Sequence, residues 1–251
     1  MGNLGGAVVA FSGGVDSSVL VVLAHNLLGI KAVAATADSP GLPRSDRSLV
    51  ARFCDEHGIA HRFVDTGEFQ DPAFLSNPVD RCYYCKQHLY ERLIRLADEL
   101  GFESVVEGTN ASDLDDHRPG YLALQQWKRV VTPLVQADMT KEDVRRLAQE
   151  LGLATWDKPA TACLASRVPP GLELTTELMR RIDSAEDTLR ALGVGQVRVR
   201  HHGDVARIEV DRADMRRCLD RRQEIAASLA KIGWRFITLD LLGYRTGGAR
   251  L

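Results

Sequence analysis

The chain has 251 residues, enough to bury one sizeable core plus a smaller second unit and too few for a large multidomain machine. With 45% hydrophobic and 26% charged residues its composition is that of an ordinary globular protein, and a formal net charge of −2 argues against a dedicated nucleic-acid binder, whose basic footprint dominates its domain. No apolar run approaches the ~20 residues that span a bilayer, and the first strand begins within a few residues of the N-terminus, so the expectation is a cytoplasmic protein with no membrane span or leader peptide.

In chain order, short apolar runs alternate with amphipathic stretches, which predicts a parallel sheet flanked by helices. Ala7 to Phe11 is a nearly continuous apolar run, as in a strand buried on both faces. A helix is expected from Val15 to Leu28, a strand from Lys31 to Thr36, a helix from Arg47 to His57 closed by Gly58, and a strand from His61 to Val64. Leu89, Leu93, Leu96 and Leu100 share one face of a helix expected from Tyr84 to Leu100. Strands follow at Ser104 to Glu107 and Arg129 to Thr132, then a helix that Thr140 caps, with Asp143 at the capping-box position, and that ends at Gly152.

Beyond Trp156 the pattern changes. Asp157 to Gly171 holds three prolines and no periodicity, which marks a loop and a domain boundary near residue 170. A helix from Thr175 to Leu192, strands at Val197 to Arg200 and Val205 to Val210 around His202-Gly203-Asp204, one helical face through Cys218, Ile225, Leu229 and Ile232, and a strand from Phe236 to Leu241 make up a small α+β unit. The expected division is 1–170 and 171–251, with no internal repeat.

The chemistry centres on Ser12-Gly13-Gly14-Val15-Asp16-Ser17-Ser18, between a buried strand and a helix. Glycines let the backbone turn tightly against an anion while N–H groups and the helix dipole point at it. Ser12, Ser17 and Ser18 add hydroxyl donors, and Asp16 is a candidate ligand for Mg²⁺ on a pyrophosphate. No Gly-Lys-Ser/Thr follows, so this is not the loop of P-loop NTPases. It resembles the PP-loop of the ATP pyrophosphatases, which cleave ATP between the α and β phosphates.

In an open parallel sheet the site lies at the carboxyl ends of the strands. Thr36 to Ser39, with Asp38, follow the second strand and are candidates for adenine contacts. Gly108-Thr109-Asn110 and Asp113 follow the fourth and are candidates for ribose, phosphate or metal, although ordinary turn chemistry also favours these residue types. Cys82 and Cys85 enter the third helix from the same rim, and Cys163 lies in the loop leaving the sheet. Three thiolates from two segments suit a soft metal with one position open, and a 4Fe–4S cluster with three cysteine ligands matches that count. A zinc site would recruit His88 as a fourth ligand. A single C-x-x-C is also a redox motif or two packed thiols, and Cys54 and Cys218 read as core residues.

Taken together, Ser12 to Ser18, Arg81 to Lys86, Glu107 to Asn110 with Asp113, Asp116 and Arg118-Pro119-Gly120, Pro159 to Arg167, and Leu242 to Gly247 resemble the LarE-type ATP-dependent sacrificial sulfur transferases over essentially the whole chain. The resemblance implies adenylation of a pyridinium dicarboxylate mononucleotide and its conversion to thiocarboxylates for the nickel-pincer cofactor of lactate racemase. It implies ATP, Mg²⁺ and, for the three-cysteine pattern, a 4Fe–4S cluster on Cys82, Cys85 and Cys163 in place of consumption of Cys163 itself. Ser12, Asp16 and Cys163 are the implied catalytic residues. Gly13, Gly14, Val15, Ser17 and Ser18 complete the phosphate loop. Ser166, Arg167, Arg198 and Arg200 are implied to bind the substrate, its phosphate above all; the two strand arginines alternate and so share a face. Glu186 and Glu209 are implied to bind metal or steer the pyridinium. A homo-oligomer, possibly a hexamer, is also implied.

Three other readings compete. A PP-loop enzyme that thiolates tRNA shares the loop and the cysteines but calls for a basic RNA-binding domain, and none is visible in the sequence. Ammonia-dependent amidation, as in NAD or GMP synthetases, needs no cysteines. A decayed PP-loop module used for nucleotide sensing conflicts with the intact loop, Asp16 and the three cysteines.

Overall fold

Alternating apolar and amphipathic segments produce a doubly wound sheet. The computed structural model describes residues 4–114, 124, 126–159 and 162–245. Strands β1 (Ala7–Ala10), β2 (Ala32–Ala37), β3 (His61–Val64), β4 (Ser104–Val106) and β5 (Val130–Val131) lie in the order β3-β2-β1-β4-β5, every pairing parallel. Helices α1 (Val15–Leu28), α2 (Arg44–Glu56), α3 (Pro72–Leu75), α4 (Arg81–Leu100), α5 (Pro133–Gln136) and α6 (Lys141–Glu150) connect them.

The two-residue period of a strand decides which layer each side chain meets. Ala7 and Val9 of β1 pack with Val19 of α1, Val50 and Cys54 of α2, and Val144 and Ala148 of α6. Val8, between them, packs on the other face with Tyr90, Leu93 and Ala97 of α4. β1 is therefore buried on both faces, which explains its uninterrupted apolar sequence. The chain leaves β1 toward β2 and β3, then returns to lay β4 on the other side of β1. That reversal opens a crevice beyond the carboxyl ends of β1 and β4.

The second sheet is built from β6 (Val197–His202), β7 (Val205–Val210) and β8 (Phe236–Leu239), with β6 and β7 antiparallel and β8 parallel to β7. Helices α7 (Thr176–Ala191), α8 (Met215–Asp220) and α9 (Arg222–Ile232) accompany it. Met179, Ile182 and Leu189 of α7 pack with Val197, Val199, Ile208, Val210, Leu229 and Trp234. Phe74 of α3 and Leu164, Ala165 and Val168 of the connecting loop join the same core, so the loop that carries Cys163 is packed into the second unit's interior.

Several boundaries differ from the sequence reading. α4 begins at Arg81, three residues early, which places Cys82 and Cys85 in its first turns. α2 begins at Arg44, directly after Pro43. The expected single helix through Cys218 and Ile232 is two, divided at Arg221. α3 and α5 have no counterpart in the reading: each is one turn opened by a proline, too short for periodicity to register. The Thr140–Asp143 capping box forms as expected, with Asp143 N donating to Thr140 Oγ1 at 3.2 Å and Thr140 N to Asp143 Oδ2 at 3.0 Å. No helix among the described residues is long and apolar enough to cross a membrane.

Candidate active site

The phosphate loop takes its shape from its glycines. Gly13 has φ of +72°, and a Cβ there would meet Val50 Cγ1 at 2.8 Å. Gly14 is extended and caps α1, whose first residues are Val15, Asp16, Ser17 and Ser18. Ser17 Oγ donates to Gly14 O at 3.0 Å and accepts from Ser12 N at 3.2 Å, which ties the start of the helix to the end of β1. The Ser18 hydroxyl is fully buried and has no hydrogen-bond partner among the described residues.

A cleft of about 480 Å³ opens over this loop. Ser12, Asp16 and Ser17 line it, with Phe11 and Thr36 from the ends of β1 and β2, and Gly108, Thr109 and Asp113 from beyond β4. Gly108 is forced close to α1: a Cβ there would lie 3.3 Å from Ser17 N. Thr36 is buried, donates to Phe11 O at 2.7 Å and pairs with His61 Nε2 at 2.9 Å; burial holds that imidazole below its ordinary pKa. Asp38 does not line this cleft. It forms a two-pronged pair with Arg47, both contacts at 3.0 Å, at the rim of a second, adjoining groove.

Charge at the cleft is arranged in pairs. Asp16 accepts from Asn110 Nδ2 at 3.0 Å and from Lys141 Nζ. Glu107 accepts from Lys86 Nζ at 2.7 Å and from Thr109 N and Oγ1 at 2.8 and 2.6 Å. Burial opposes ionisation of both Lys86 and Glu107, and their mutual attraction outweighs it, so the lysine titrates above and the carboxyl below its ordinary range. Lys158 Nζ donates to Gly13 O at 3.1 Å and lies 3.4 Å from Asp46 Oδ1. Lys141, Lys158, Asp46 and the cleft-lining Glu68 are absent from the sequence reading. Each reaches the rim only through the tertiary fold, so no local pattern announces it.

Cys163 is exposed and Cys85 half-buried, and both line the cleft, whereas Cys82 does not. Burial pushes the Cys85 thiol up, with Cys163 and Glu68 nearby adding to the effect. Among the described residues no group of three or more His, Cys, Asp or Glu side chains is placed to hold a metal ion. His88, the zinc candidate, is engaged by Asp71 Oδ2 at 2.9 Å.

The residues that the resemblance links to the substrate's phosphate lie deeper and do not line the cleft. The charged members are not solvated surface groups: Arg167 and Glu186 are 0% exposed, Glu209 1%, Arg198 and Arg200 5%. Arg167 Nε and Nη2 donate to the two oxygens of Glu186 at 2.9 and 3.1 Å. Its Nη1 donates to Ala162 O at 2.6 Å, Cys163 O at 3.0 Å and Ser166 Oγ at 3.0 Å. Arg200 pairs with Glu209 Oε2 at 2.9–3.0 Å and reaches Ser166 O at 2.8 Å. Arg198 lies over the Tyr244 ring and donates to Val197 O at 2.8 Å. Burial and the nearby Arg167 lower its pKa, the signature of a desolvated cation. Asp116, Arg118 to Gly120, Ala160, Thr161, Thr246 and Gly247 of the resemblance lie outside the described residues.

No family model matches the chain. An uncharacterised protein of Synechocystis is 40% identical to it over 248 residues, covering 98% of this chain and 92% of the relative. The pyridinium-3,5-bisthiocarboxylic acid mononucleotide synthase of Lactiplantibacillus plantarum is 36% identical over 240 residues, covering 95% of this chain and 87% of the synthase. The chain belongs to the family of that synthase. A glutamine-hydrolysing GMP synthase component of Thermococcus kodakarensis is 30% identical over 160 residues, 59% of this chain and 52% of that component, which sets the synthase family within the wider PP-loop superfamily. The chain is accordingly an ATP-using enzyme of PP-loop fold with a small second sheet unit.

Proposed function

We propose that the chain adenylates the carboxylates of a pyridinium-3,5-dicarboxylic acid mononucleotide and converts them to thiocarboxylates, the product class named for its Lactiplantibacillus relative. The observation that carries this reading is the exposed Cys163 in the wall of the cleft that the PP-loop floors. A carboxylate is a poor electrophile at neutral pH. Attack of its oxygen on the α-phosphorus of ATP expels pyrophosphate and leaves an acyl-adenylate, whose leaving group is AMP. Sulfur delivered at Cys163 then displaces AMP, provided water is excluded.

Each part of the chain has a task in this scheme. The loop amides and Ser12 and Ser17 hold the phosphates, and Asp16 and Asp113, which line the cleft, would hold the Mg²⁺ that enters with ATP. Thr36 and the end of β2 border the adenine. Arg198, a buried cation set against a neighbouring carbonyl and an aromatic face behind the cleft wall, supplies positive charge for the substrate's own phosphate. Arg200, Glu209, Ser166, Arg167 and Glu186 hold that region and the Cys163 loop in register. Residues 171–251 act as the substrate-binding and subunit-contact unit of a cytoplasmic homo-oligomer, with no role for nucleic acid.

In the reading that the exposed thiol favours, the Cys163 thiolate displaces AMP to form a thioester; removal of the Cα proton of residue 163 then breaks Cβ–Sγ, which releases the thiocarboxylate and leaves dehydroalanine at that position. A second reading is supported by Cys85 and Cys163 facing one cleft: the two would join Cys82 in holding a 4Fe–4S cluster. Anaerobic reconstitution with iron and sulfide separates the readings, since iron retention lost on replacing any one of the three thiols supports the cluster and no iron uptake removes it. The adenylation itself is tested by product analysis with ATP, Mg²⁺ and the dicarboxylate. AMP and pyrophosphate are expected, with turnover abolished and the fold intact in Asp16→Asn; ADP and orthophosphate as main products would overturn the scheme.

A further inference from the structure

The loop that binds the leaving pyrophosphate contains no lysine, yet the reaction places another negative charge on that group as it departs. Two lysines from distant segments stand against the loop. Lys141 is committed to Asp16, the carboxylate expected to hold Mg²⁺. Lys158 is held differently: its Nζ donates to the carbonyl of Gly13 at 3.1 Å and sits 3.4 Å from Asp46 Oδ1. It also lies 3.7 Å from the point where a Cβ on Gly13 would project, so the ammonium is at the glycine turn itself. Its side chain is 22% exposed, and Asp46 is 7% exposed and lines the cleft. An ammonium has three donors, and the carbonyl and the carboxylate account for two.

We propose that Lys158 is the leaving-group cation of the adenylation step, a catalytic residue tethered by Asp46 and the Gly13 carbonyl. The assignment rests on the reading that pyrophosphate leaves from this loop. As the substrate carboxylate oxygen bonds to the α-phosphorus, the bond from that phosphorus to the bridging oxygen breaks. The electron pair stays on the bridging oxygen, which becomes a terminal oxygen of pyrophosphate. The third donor of Lys158 is placed to meet the charge that grows there, adding to the loop amides at the start of α1. The lysine lies five residues before Cys163 in the same connecting segment, so one stretch of chain supplies both the cation against the phosphate loop and the thiol in the cleft wall.

The test is carboxylate-dependent exchange of labelled pyrophosphate into ATP, using the intact chain and its Lys158→Met and Lys158→Arg variants, with ATP affinity measured separately by calorimetry. Lys158→Met should slow exchange by ~10²-fold, the scale of removing one preorganised donor from a developing charge, while ATP affinity changes little. Lys158→Arg should restore part of the rate, since the charge is kept and the geometry altered. Retained ATP binding shows that each variant is folded. Exchange by Lys158→Met at nearly the wild-type rate would overturn the assignment. So would a loss of exchange matched by an equal loss of ATP affinity, or an arginine variant as slow as the methionine one. Absence of exchange in the wild type would instead overturn the adenylation reading, and this assignment with it.

Discussion

Arg167 shows how one buried side chain can organise a reactive loop. Its guanidinium is fully enclosed, two of its nitrogens are matched to Glu186, and the third grips the carbonyls of Ala162 and Cys163. Glu186 in turn accepts from Val199 N of β6 at 3.1 Å, so the ion pair links the Cys163 loop to the second sheet. Buried pairs of this kind add little net stability over apolar packing, but breaking one leaves an uncompensated charge. Glu186→Gln should therefore destabilise the chain by ~3 kcal/mol, measured by denaturant unfolding, and should raise the rate at which Cys163 is alkylated. Burial pushes the Glu186 carboxyl up, but Arg167 outweighs it and the net shift is downward. A carboxyl with a depressed folded-state pKa stabilises the fold above its unfolded-state pKa. That contribution disappears as pH falls through the folded value. The stability gap between wild type and Glu186→Gln should accordingly be constant through neutral pH and close only in acid below the ordinary carboxylate range.

At the scale of elements, the phosphate loop is where sequence and backbone are most tightly bound together. Gly13 occupies a left-handed conformation with Val50 of α2 directly against its open side. Gly13→Ala should cost ~1–2 kcal/mol from backbone strain alone and should weaken ATP binding further as α2 is displaced, read by thermal unfolding and ATP titration. The same link between local pattern and local structure explains which parts of the fold are legible in the sequence. α1 falls on the residues expected for it because it is long and opens directly from the glycine turn, and β3 lies on its expected residues although only Val64 of its four is buried. α3 and α5 do not, being single turns. The break at Arg221 lies inside a continuous amphipathic pattern, and only the packing of α8 and α9 reveals it. The site divides along the same line. The PP-loop is contiguous in sequence and readable there, and the alternation of Arg198 and Arg200 places both on one face, which the structure shows to be an interior one. Lys141 on Asp16, Lys158 on Gly13 and Glu68 in the cleft wall come together from segments up to 145 residues apart, where sequence carries no signal.

Across the whole molecule, the cleft is shared between two cores. Its floor is the carboxyl rim of the parallel sheet. Part of its wall, including Ala165 and Phe74, belongs to the core of the second unit. Leu164 N donates to Gly41 O at 2.8 Å, and Arg44 at the start of α2 pairs with Asp183 of α7 at 2.9 Å, so the two units are joined both through the Cys163 loop and through α7. This arrangement places the phosphate loop and the Cys163 side chain on one shared cleft. The most direct measurement is a single turnover of the mononucleotide dicarboxylate with ATP and Mg²⁺, comparing wild type with Cys163→Ala and following AMP, pyrophosphate and replacement of carboxylate oxygen by sulfur. Both proteins should release AMP and pyrophosphate, and only the wild type should yield thiocarboxylate. Thiocarboxylate formation by Cys163→Ala at the wild-type level would contradict delivery of sulfur at Cys163.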